Sequence, residues 1–571
     1  MENPKKISND CLASILQLVF GEDVARIGMC SYKMMIRLSL TRPKEFVSNL
    51  TLLHAKMIHE GTTSVQLLAK PKRLPYRDIL RKTKSSCCTE VFLESQICNL
   101  PQSLTRLSIP KDIHLTKKVF SKLPPGLTFL DLTSNMNFGM HRIWHKIPVG
   151  LEHLSLGSIC SQNFAHLPHS LTHLNLPNSD NLFDKHIPHL PPNLTFLALG
   201  RNTKITDAGI RLLPPLLTHL DLQNNQKISD DAIQNLPKHL THLDLRNSLK
   251  ISGDAIQNLP KHLTFLALGY LCRPNTREDI LLPSKLKTFR IASFKWNAEL
   301  SPEFMPKDLT RLRLRSSVCC RALLNNLPHR LVHLTLGLST DSFLDEHVAM
   351  LPRCLEHLKL SFSISIRSES LAHLPNSLKS IHLVGETFSD EFVRHLPSGL
   401  SILSLAQNNL LTDAAMAQLP KKLTQLELPH NELITDIGIS HLPRELTYLD
   451  LLWNKMITDI GISHLPRGLT YLDLSWNMFV TDAGIPHLPR GLTHLDLSRT
   501  LLVTDAGIPH LPQGLLHLYL VENCNITNKS VVSLPRSLKS LDLLNTNVTD
   551  ESIDQAPPFL KWVRWKNTDD E

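Results

Sequence analysis

The 571-residue sequence is poor in the features that mark secreted and membrane proteins. Its eleven cysteines are an odd number, none stands in a C-x-x-C spacing, and neighbours such as Cys87 and Cys88 cannot easily bridge to each other. The N-terminus, MENPKKISND, has no apolar signal core, and the apolar stretch at 12–20 is too short to span a bilayer. These absences predict reduced thiols and a cytoplasmic protein. The nucleus, or the host cytosol for a bacterial effector or viral product, is the alternative.

Catalytic and cofactor motifs are also missing. There is no Walker loop, G-x-S-x-G, H-E-x-x-H, Cys-rich zinc pattern or Gly-rich dinucleotide loop. The 29 histidines suggest a metal site, but sixteen of them recur in two columns of a repeat instead of converging on one point. We therefore predict a non-enzymatic protein with no metal and no cofactor. The first column contains His153, His173, His219, His242, His333, His357, His494 and His517.

Charge and aromatic content are low as well. The formal net charge is only +9, and aromatic residues make up 5% of a chain that is 42% hydrophobic. A nucleic-acid-binding protein usually concentrates basic residues on one face or interleaves them with aromatics. The composition therefore predicts an aliphatic core and no nucleic-acid partner.

The sequence is rich in one repeat of about 23 residues. Residues 446–468, LTYLDLLWNKMITDIGISHLPRG, are followed at once by 469–491, LTYLDLSWNMFVTDAGIPHLPRG. The consensus is L-P-x-x-L-T-x-L-D-L-x-x-N-x-x-I-T-D-x-G-I-x-x. Units of this kind run from Leu104 to Leu560, so repetition decides the architecture.

Each part of the repeat has a physical interpretation. Alternation predicts a short strand with Leu472 and Leu474 inward and Tyr471 and Asp473 outward, and only stacked parallel copies can bury such leucines. Thr481 and the Asp after it suit the N-cap of one helical turn, which the next Leu-Pro step ends. A recurring asparagine is expected to satisfy backbone groups of adjacent coils. It stands at Asn135, Asn202, Asn225, Asn408, Asn431, Asn454, Asn477 and Asn523.

L-x-x-L-x-L-x-x-N at this period resembles the leucine-rich repeat. ITDxGI is similar to the cysteine-containing subfamily, with Asn in place of its Cys, while the Leu-Pro step resembles repeats of secreted bacterial effectors. The resemblance implies an α/β fold, a leucine-rich-repeat solenoid shaped as a curved horseshoe, with a parallel inner β-sheet and short helical or 3-10 turns outside. It predicts about 21 units over 85–571, with a worn C-terminal cap, LKWVRWKN.

Residues 7–40 predict a small helical hairpin with an unusually apolar surface. This region resembles an F-box, although Ser8 replaces the family's entry proline and no tryptophan follows Lys33. We expect an F-box-like region at 1–45 and a basic connector or N-terminal cap at 46–84; the alternative is that the whole segment only caps the solenoid. The resemblance implies docking on a Skp-type linker through Leu12, Ile15, Leu16, Val19, Val24 and Ile27.

Outward strand positions on the inner, concave face are the candidate target-binding residues, because the repeated columns are scaffold. A basic group breaks the consensus and suits an acidic partner. An acidic column reflects either copying of the repeat or a basic partner, and the aromatics beside it resemble interface anchors. The basic group is Arg290, Arg311, Arg313, Arg315 and Lys359; the acidic column is Asp450, Asp473 and Asp496; the aromatics are Tyr448, Tyr471, Trp453 and Trp476.

The resemblance as a whole implies a non-catalytic adaptor, the substrate-recognition subunit of an SCF-type (cullin–RING) ubiquitin ligase. The Skp-type linker, the cullin and a protein target would be its partners, with no membrane. The alternative is a plain leucine-rich-repeat interaction or inhibitor module without a ligase role. The identity of the target does not follow from the sequence.

Overall fold

The computed structural model describes a large part of the chain. The described residues are 48–50, 64–67, 102–109, 120–133, 147–157, 161–178, 180–248, 251–272, 280–294, 303–315, 321–337, 345–361, 368–385, 388–408, 410–553, 555–558, 560 and 562–564. They fall into two compact units. The smaller comprises the described residues of Met1–Lys70, Asp78–Asn181 and His189–Phe196, and the larger those of Pro71–Arg77, Leu182–Pro188 and Leu197–Glu571.

Within each unit, short parallel strands pair with their neighbours in the chain. The smaller unit contains β1 (Ser48–Leu50), β2 (Ser64–Leu67), β3 (Arg106–Ser108), β4 (Phe129–Leu132), β5 (His153–Leu156) and β6 (His173–Asn175), and β7 (Phe196–Ala198) lies at the division. The larger contains β8 (His219–Asp221), β9 (His242–Leu245), β10 (Phe265–Leu271), β11 (Thr288–Phe294), β12 (Arg311–Leu314), β13 (His333–Leu336), β14 (His357–Ser361), β15 (Ser380–Val384) and β16 (Ile402–Ala406). It continues with β17 (Gln425–Glu427), β18 (Tyr448–Asp450), β19 (Tyr471–Asp473), β20 (His494–Asp496), β21 (His517–Tyr519), β22 (Ser540–Asp542) and β23 (Trp562–Arg564).

Strands β3 to β23 correspond to the predicted repeat units, each beginning two residues after the first leucine of its unit. Strands β1 and β2 lie in the stretch expected to hold the connector and N-terminal cap. The predicted F-box-like hairpin at 7–40 lies outside the described residues.

Helices of only three to six residues lie between many of the successive strands, so the predicted short helical or 3-10 turns are present where the chain is described. The α-helices are Asp207–Ile210, Asp230–Gln234, Arg321–Asn325, Asp345–Ala349, Asp390–Arg394, Asp413–Met416, Asp436–Ser440, Asp459–Ser463, Asn528–Val531 and Asp550–Ile553. The 3-10 helices are Ser161–His166, Asp184–His189, Asp254–Asn258, Ser368–His373, Ile485–His487 and Ile508–His510.

The core forms by stacking identical positions. Leu449, Leu472 and Leu495 are direct partners on neighbouring strands, and each is fully buried. No coil can bury its leucines alone, so burial, the main stabilising term, depends on the next coil being present. The predicted α/β leucine-rich-repeat solenoid is confirmed as the fold class.

The asparagine ladder has the predicted role wherever it is described. Asn202 Nδ2 donates to Leu182 O at 3.0 Å and Asn454 Nδ2 to Leu428 O at 2.8 Å, and both asparagines are fully buried. An unpaired carbonyl at these positions would cost free energy on burial, so the ladder fixes coil to coil. Asn135 lies outside the described residues.

The Thr-Asp step does more than the sequence predicted. Thr458 caps its own turn by accepting from Ile460 N at 3.2 Å, as expected for an N-cap. Thr481 accepts from Ala483 N at 3.2 Å in the same way, but the helix of its coil begins only at Ile485, with Gly484 as the N-cap, so the predicted cap at Thr481 closes a turn that precedes the helix. The backbone N–H and hydroxyl of Thr458 also donate to the carboxylate of Asp436 in the preceding coil, at 2.8 and 2.6 Å. The Asp after a capping Thr is thus a clamp between coils, and Asn528 takes this place after the capping Thr527 by accepting from Thr549 N at 2.7 Å. Asp436 approaches so closely that a Cβ on Gly461 would meet its Oδ1 at 2.4 Å.

Candidate functional site

The candidate site is the sheet face, defined as the partly exposed strand side chains that alternate with the buried leucines. On β19, for example, Tyr471 and Asp473 are partly exposed while Leu472 is buried. Parallel register places like positions of successive repeats beside one another, at the strand spacing of about 4.8 Å. A run of similar residues in one column therefore becomes a continuous surface.

The structure brings the five predicted cations together as a basic patch. Arg290 lies on β11, Arg311 and Arg313 lie on β12 with Arg315 just after it, and Lys359 lies on β14. Arg290 and Arg313 are direct partners, and Lys359 follows across Thr335. Arg311, Arg313, Arg315 and Lys359 are exposed.

The basic patch lacks internal neutralisation. Within the described ranges none of its five cations forms an ion pair, whereas nearby Arg246 pairs with Asp244 at 2.8 Å. Partial burial lowers the pKa of Arg313, and the charges of Arg315, Arg290 and Arg246 lower it further. Arg290 also lies over the Phe265 ring, 5.3 Å from its centroid. Repulsion among these groups marks a surface suited to an anionic ligand.

The acidic column is continuous in the structure. Asp450, Asp473 and Asp496 are successive partners on β18, β19 and β20. Burial raises the pKa of Asp450 and of Asp496 to about 6, and the neighbouring Asp473 charge adds to both shifts. The part of the chain that the structure describes contains no cation paired with any of the three. Ionising all of them together is therefore unfavourable without a partner.

The aspartates also have a local structural role that the sequence did not reveal. Asp450 Oδ1 accepts from Leu452 N at 2.9 Å and Asp473 Oδ1 from Ser475 N at 2.8 Å, which satisfies backbone donors where the strand ends. Asp221, far from this column, does the same with Gln223 N at 2.9 Å. Asp therefore recurs because it satisfies backbone donors, and this favours copying of the repeat as the reason for the acidic column. The negative charge of the column is still not compensated by a cation in the described part of the chain.

The four predicted aromatics form two stacks beside the acidic column. The rings of Tyr448 and Tyr471 are parallel at 4.1 Å between centroids, and their side chains are hydrogen-bonded to each other. Trp453 and Trp476 follow their strands, and their ring centroids are 4.1 Å apart. The guanidinium carbon of Arg499 lies 3.9 Å from the centroid of the Trp476 ring. Because the ring faces contact other side chains of the same molecule, the ring edges are the parts left for contact with a partner.

Both tryptophans adopt the left-handed backbone region. The φ angle is 59° at Trp453 and 62° at Trp476, and the same position has a positive φ in other coils, where it holds Asn, Arg, Gln, His or Glu. Asparagine tolerates this region better than a bulky side chain does. The turn itself thus does not explain the choice of tryptophan.

Strand histidines pair by stacking. His333 and His357 are parallel at 4.3 Å between centroids, and His494 and His517 lie at 4.2 Å. Burial lowers the pKa of His333 and His494. The described residues contain no group of three or more His, Cys, Asp or Glu placed to hold a metal ion. These histidines stack on one another, and His494 Nδ1 also lies at hydrogen-bond distance, 2.9 Å, from the Thr493 hydroxyl.

The linker-docking candidates all lie outside the described residues. They are Leu12, Ile15, Leu16, Val19, Val24 and Ile27. No helix in the described segments is long and apolar enough to cross a membrane.

One family profile and one solved structure are similar to this chain. A family profile described as "Leucine Rich repeat" matches residues 214–236, which is one repeat. Among solved structures, the crystal structure of CroV588, titled a novel circular LRR protein structure, is 22% identical. The match covers 83% of this chain and 80% of that one, with a TM-score of 0.35. No curated protein matches the chain.

Proposed function

We propose that this chain, whose fold is a leucine-rich-repeat solenoid, is a non-catalytic binding protein that captures an acidic protein segment on its basic patch. The observation that carries the proposal is that Arg290 and Arg313 occupy a strand position where many other repeats carry Asp. The repeat therefore does not require these cations, and their mutual repulsion opposes folding.

Arginine suits this task chemically. The planar guanidinium donates two parallel hydrogen bonds to one carboxylate, and such charge-assisted pairs are stronger than neutral ones. Arg311, Arg313 and Arg315 alternate with the buried Leu312 and Leu314, so three guanidinium groups extend from one side of the sheet. A segment with several Asp or Glu residues would relieve the repulsion among them on binding.

A short fluorescein-labelled peptide of alternating Glu and Ser tests the proposal by fluorescence anisotropy. Replacing Arg311 and Arg313 by Glu should weaken its binding by about tenfold or more, since each tenfold step is about 1.4 kcal/mol. The matched control reverses Lys204 and Lys227, which are exposed cations outside the basic patch, and should retain binding. Equal weakening in both double variants would refute the basic patch as the site.

We further propose the finer role that the F-box resemblance implies, a substrate-recognition subunit of an SCF-type ubiquitin ligase. The support is the order of the chain, in which an F-box-like segment precedes the repeats. The adaptor would hold target lysines near the charged conjugating enzyme and contribute proximity instead of chemistry.

A pull-down of the full chain with a purified Skp-type linker tests this role. Capture that disappears in a Leu12→Asp, Leu16→Asp variant with an unchanged melting curve would support the adaptor. Failure of the intact chain to bind would leave the alternative, a plain interaction module that acts through its sheet face.

A further inference from the structure

An exposed apolar ridge crosses four consecutive coils of the larger unit. It consists of Leu433, Met456, Phe479 and Leu502, whose exposed fractions are 49%, 49%, 54% and 48%, and Leu410, which is 48% exposed, extends the same column into the coil before them. Each stands two residues after the ladder position of its coil, and Phe479 and Leu502 are bridged to Thr458 and Thr481 of the preceding coils. Contiguous apolar surface of this kind marks binding sites in soluble proteins.

The fold does not require apolar residues on this ridge. Lys204 and Lys227 occupy the same position, two residues after the ladder residues Asn202 and Asn225, and are exposed there. Because lysine serves in those coils, the change to Leu, Met and Phe has a cause other than packing.

The tryptophan pair adjoins the ridge. Trp453 and Trp476 precede Met456 and Phe479 by three residues, at a turn position that holds Arg, Asn, Gln, His or Glu in other coils, so the turn does not require tryptophan. The ring edges and the ridge side chains together give an apolar strip that runs from coil to coil.

Unpaired carboxylates border this strip. Asp450 and Asp473 lie three residues before Trp453 and Trp476, and Asp496 extends the column by one coil. Lys455 lies over the Trp453 ring and Arg499 over the Trp476 ring, but each is paired with a glutamate, Glu432 and Glu522. Among the described residues, the charge beside the strip that no ion pair compensates is therefore that of the aspartates, and a partner that covers the strip meets it on one side. Basic residues on that side of the partner would be paired by the three aspartates.

We propose that this strip binds a basic amphipathic helix of a partner protein. The spacing favours a helix, because coils repeat about every 4.8 Å and a helix brings one side to the surface every 5.4 Å, whereas same-side residues of an extended strand recur near 6.7 Å. Three coil intervals span about 14 Å, which is close to three helical turns. The inference rests on the proposed protein-binding function but uses a surface separate from the basic patch.

The probe is a synthetic helix of about 18 residues, or five turns, with Leu at i, i+4, i+7 and i+11 and Lys beside them. Binding to the full chain is measured by anisotropy of a label on the peptide. Two comparison peptides replace every Lys by Glu or every Leu by Ser, and a third carries a central proline that breaks the helix. We expect the first peptide to bind and each of the others to bind at least about tenfold more weakly.

The repeats themselves supply matched variants. Met456→Lys with Phe479→Lys copies Lys204 and Lys227, and Trp453→Asn with Trp476→Asn copies Asn224 and Asn247. Both pairs should leave the melting temperature near its original value and weaken peptide binding by about tenfold or more. The control changes Leu212 and Leu216, half-exposed leucines outside the ridge, to Lys and should bind normally.

The result that would overturn the proposal is equal binding by the ridge, tryptophan and control variants, or equal binding of the Lys and Glu peptides. Its failure is separable from failure of the proposed function, because reversing Arg311 and Arg313 must not weaken the Lys peptide if the surfaces are separate. We expect the Arg311 and Arg313 variant to lose binding of the Glu-Ser peptide and to keep binding of the Lys peptide. We expect the ridge variants to keep the Glu-Ser peptide and to lose the Lys peptide.

Discussion

Thr458 Oγ1 donates a 2.6 Å hydrogen bond to Asp436 Oδ2, a residue 22 positions earlier in the preceding coil. The Thr458 backbone N–H donates to the other oxygen of the same carboxylate at 2.8 Å. Similar clamps join Asp390 to Thr412 and Asp482 to Thr504. The clamps add directional contacts to a core that is otherwise only aliphatic packing.

Replacing Asp436 by Ala should destabilise the protein by about 1–3 kcal/mol, because the N–H and hydroxyl of Thr458 lose their acceptor in a partly buried position. Urea denaturation followed by circular dichroism measures the loss. Asp308→Ala is the control, since Asp308 forms only exposed ion pairs with Lys287 and Arg330 and should cost under about 1 kcal/mol. Equal losses would show that the clamp contributes no more than a surface ion pair.

Gly484 provides a second test of the clamp, because a Cβ there would meet Asp459 Oδ1 at 2.4 Å. In the corresponding position Ser530 donates a hydrogen bond to Asp505. Gly484→Ser should therefore be tolerated better than Gly484→Val, which adds bulk without a donor and should cost over about 2 kcal/mol. Thermal melting ranks the two variants, and a valine variant as stable as the serine variant would contradict the close approach.

The acidic column predicts a gain of stability on mutation. The folded pKa of Asp450 and of Asp496 is about 6, above the ordinary 3.8. A carboxyl group with a raised folded pKa stabilises the fold at low pH, and this contribution is lost as the pH rises from about 4 through 6. Asp473→Asn keeps an acceptor for Ser475 but removes the shared neighbour, so it should raise stability at pH 8 by about 1 kcal/mol and have little effect at pH 4.

Melting temperatures at the two pH values measure this gain. Asp221→Asn serves as the comparison, since its neighbour Asp244 is already paired with Arg246. A larger gain for Asp221→Asn at pH 8 would show that the Asp450–Asp496 column is not the site of uncompensated charge.

The histidine stacks predict the opposite dependence. Burial lowers the pKa of His494 and His517, and the His494 charge lowers that of His517 further. A histidine with a lowered folded pKa contributes stability that is present above its unfolded value, near 6.5, and lost as the pH falls through its folded value. Changing both to Tyr, which stacks in this column at Tyr448 and Tyr471, should flatten the fall in melting temperature between pH 7 and 5. An unchanged slope would assign the acid sensitivity to other groups.

The sequence predicted what depends on one coil or on simple stacking. The alternation around Leu472, the capping by Thr458 and the buried asparagines all follow from local chemistry and a fixed period. The clamp from Asp436 was not predicted, because it depends on how far one coil is displaced from the next. The left-handed turn at Trp476 was equally hidden, since the consensus shows only that the strand has ended.

The sequence predicted which residues make up the candidate site better than it predicted how their side chains are arranged. Register alone places Arg290 beside Arg313, so this pair follows from the repeat. The pairing of Arg246 with Asp244, which excludes Arg246 from the free cations, needs side-chain positions. The apolar ridge was missed because positions after the ladder asparagine look like loop, and only the structure shows that Phe479 is half-exposed.

The most direct test of the central claim, that the basic patch holds an acidic segment, is photocrosslinking from inside it. Thr335 lies between Arg313 and Lys359 in the sheet, so benzoylphenylalanine at position 335 should crosslink to the labelled Glu-Ser peptide, and excess unlabelled peptide should abolish the product. The same group at Val532, an exposed position on the helical side, is the reference. A strong, competable product at 335 and little at 532 is the predicted result; equal yields at the two positions would contradict the account.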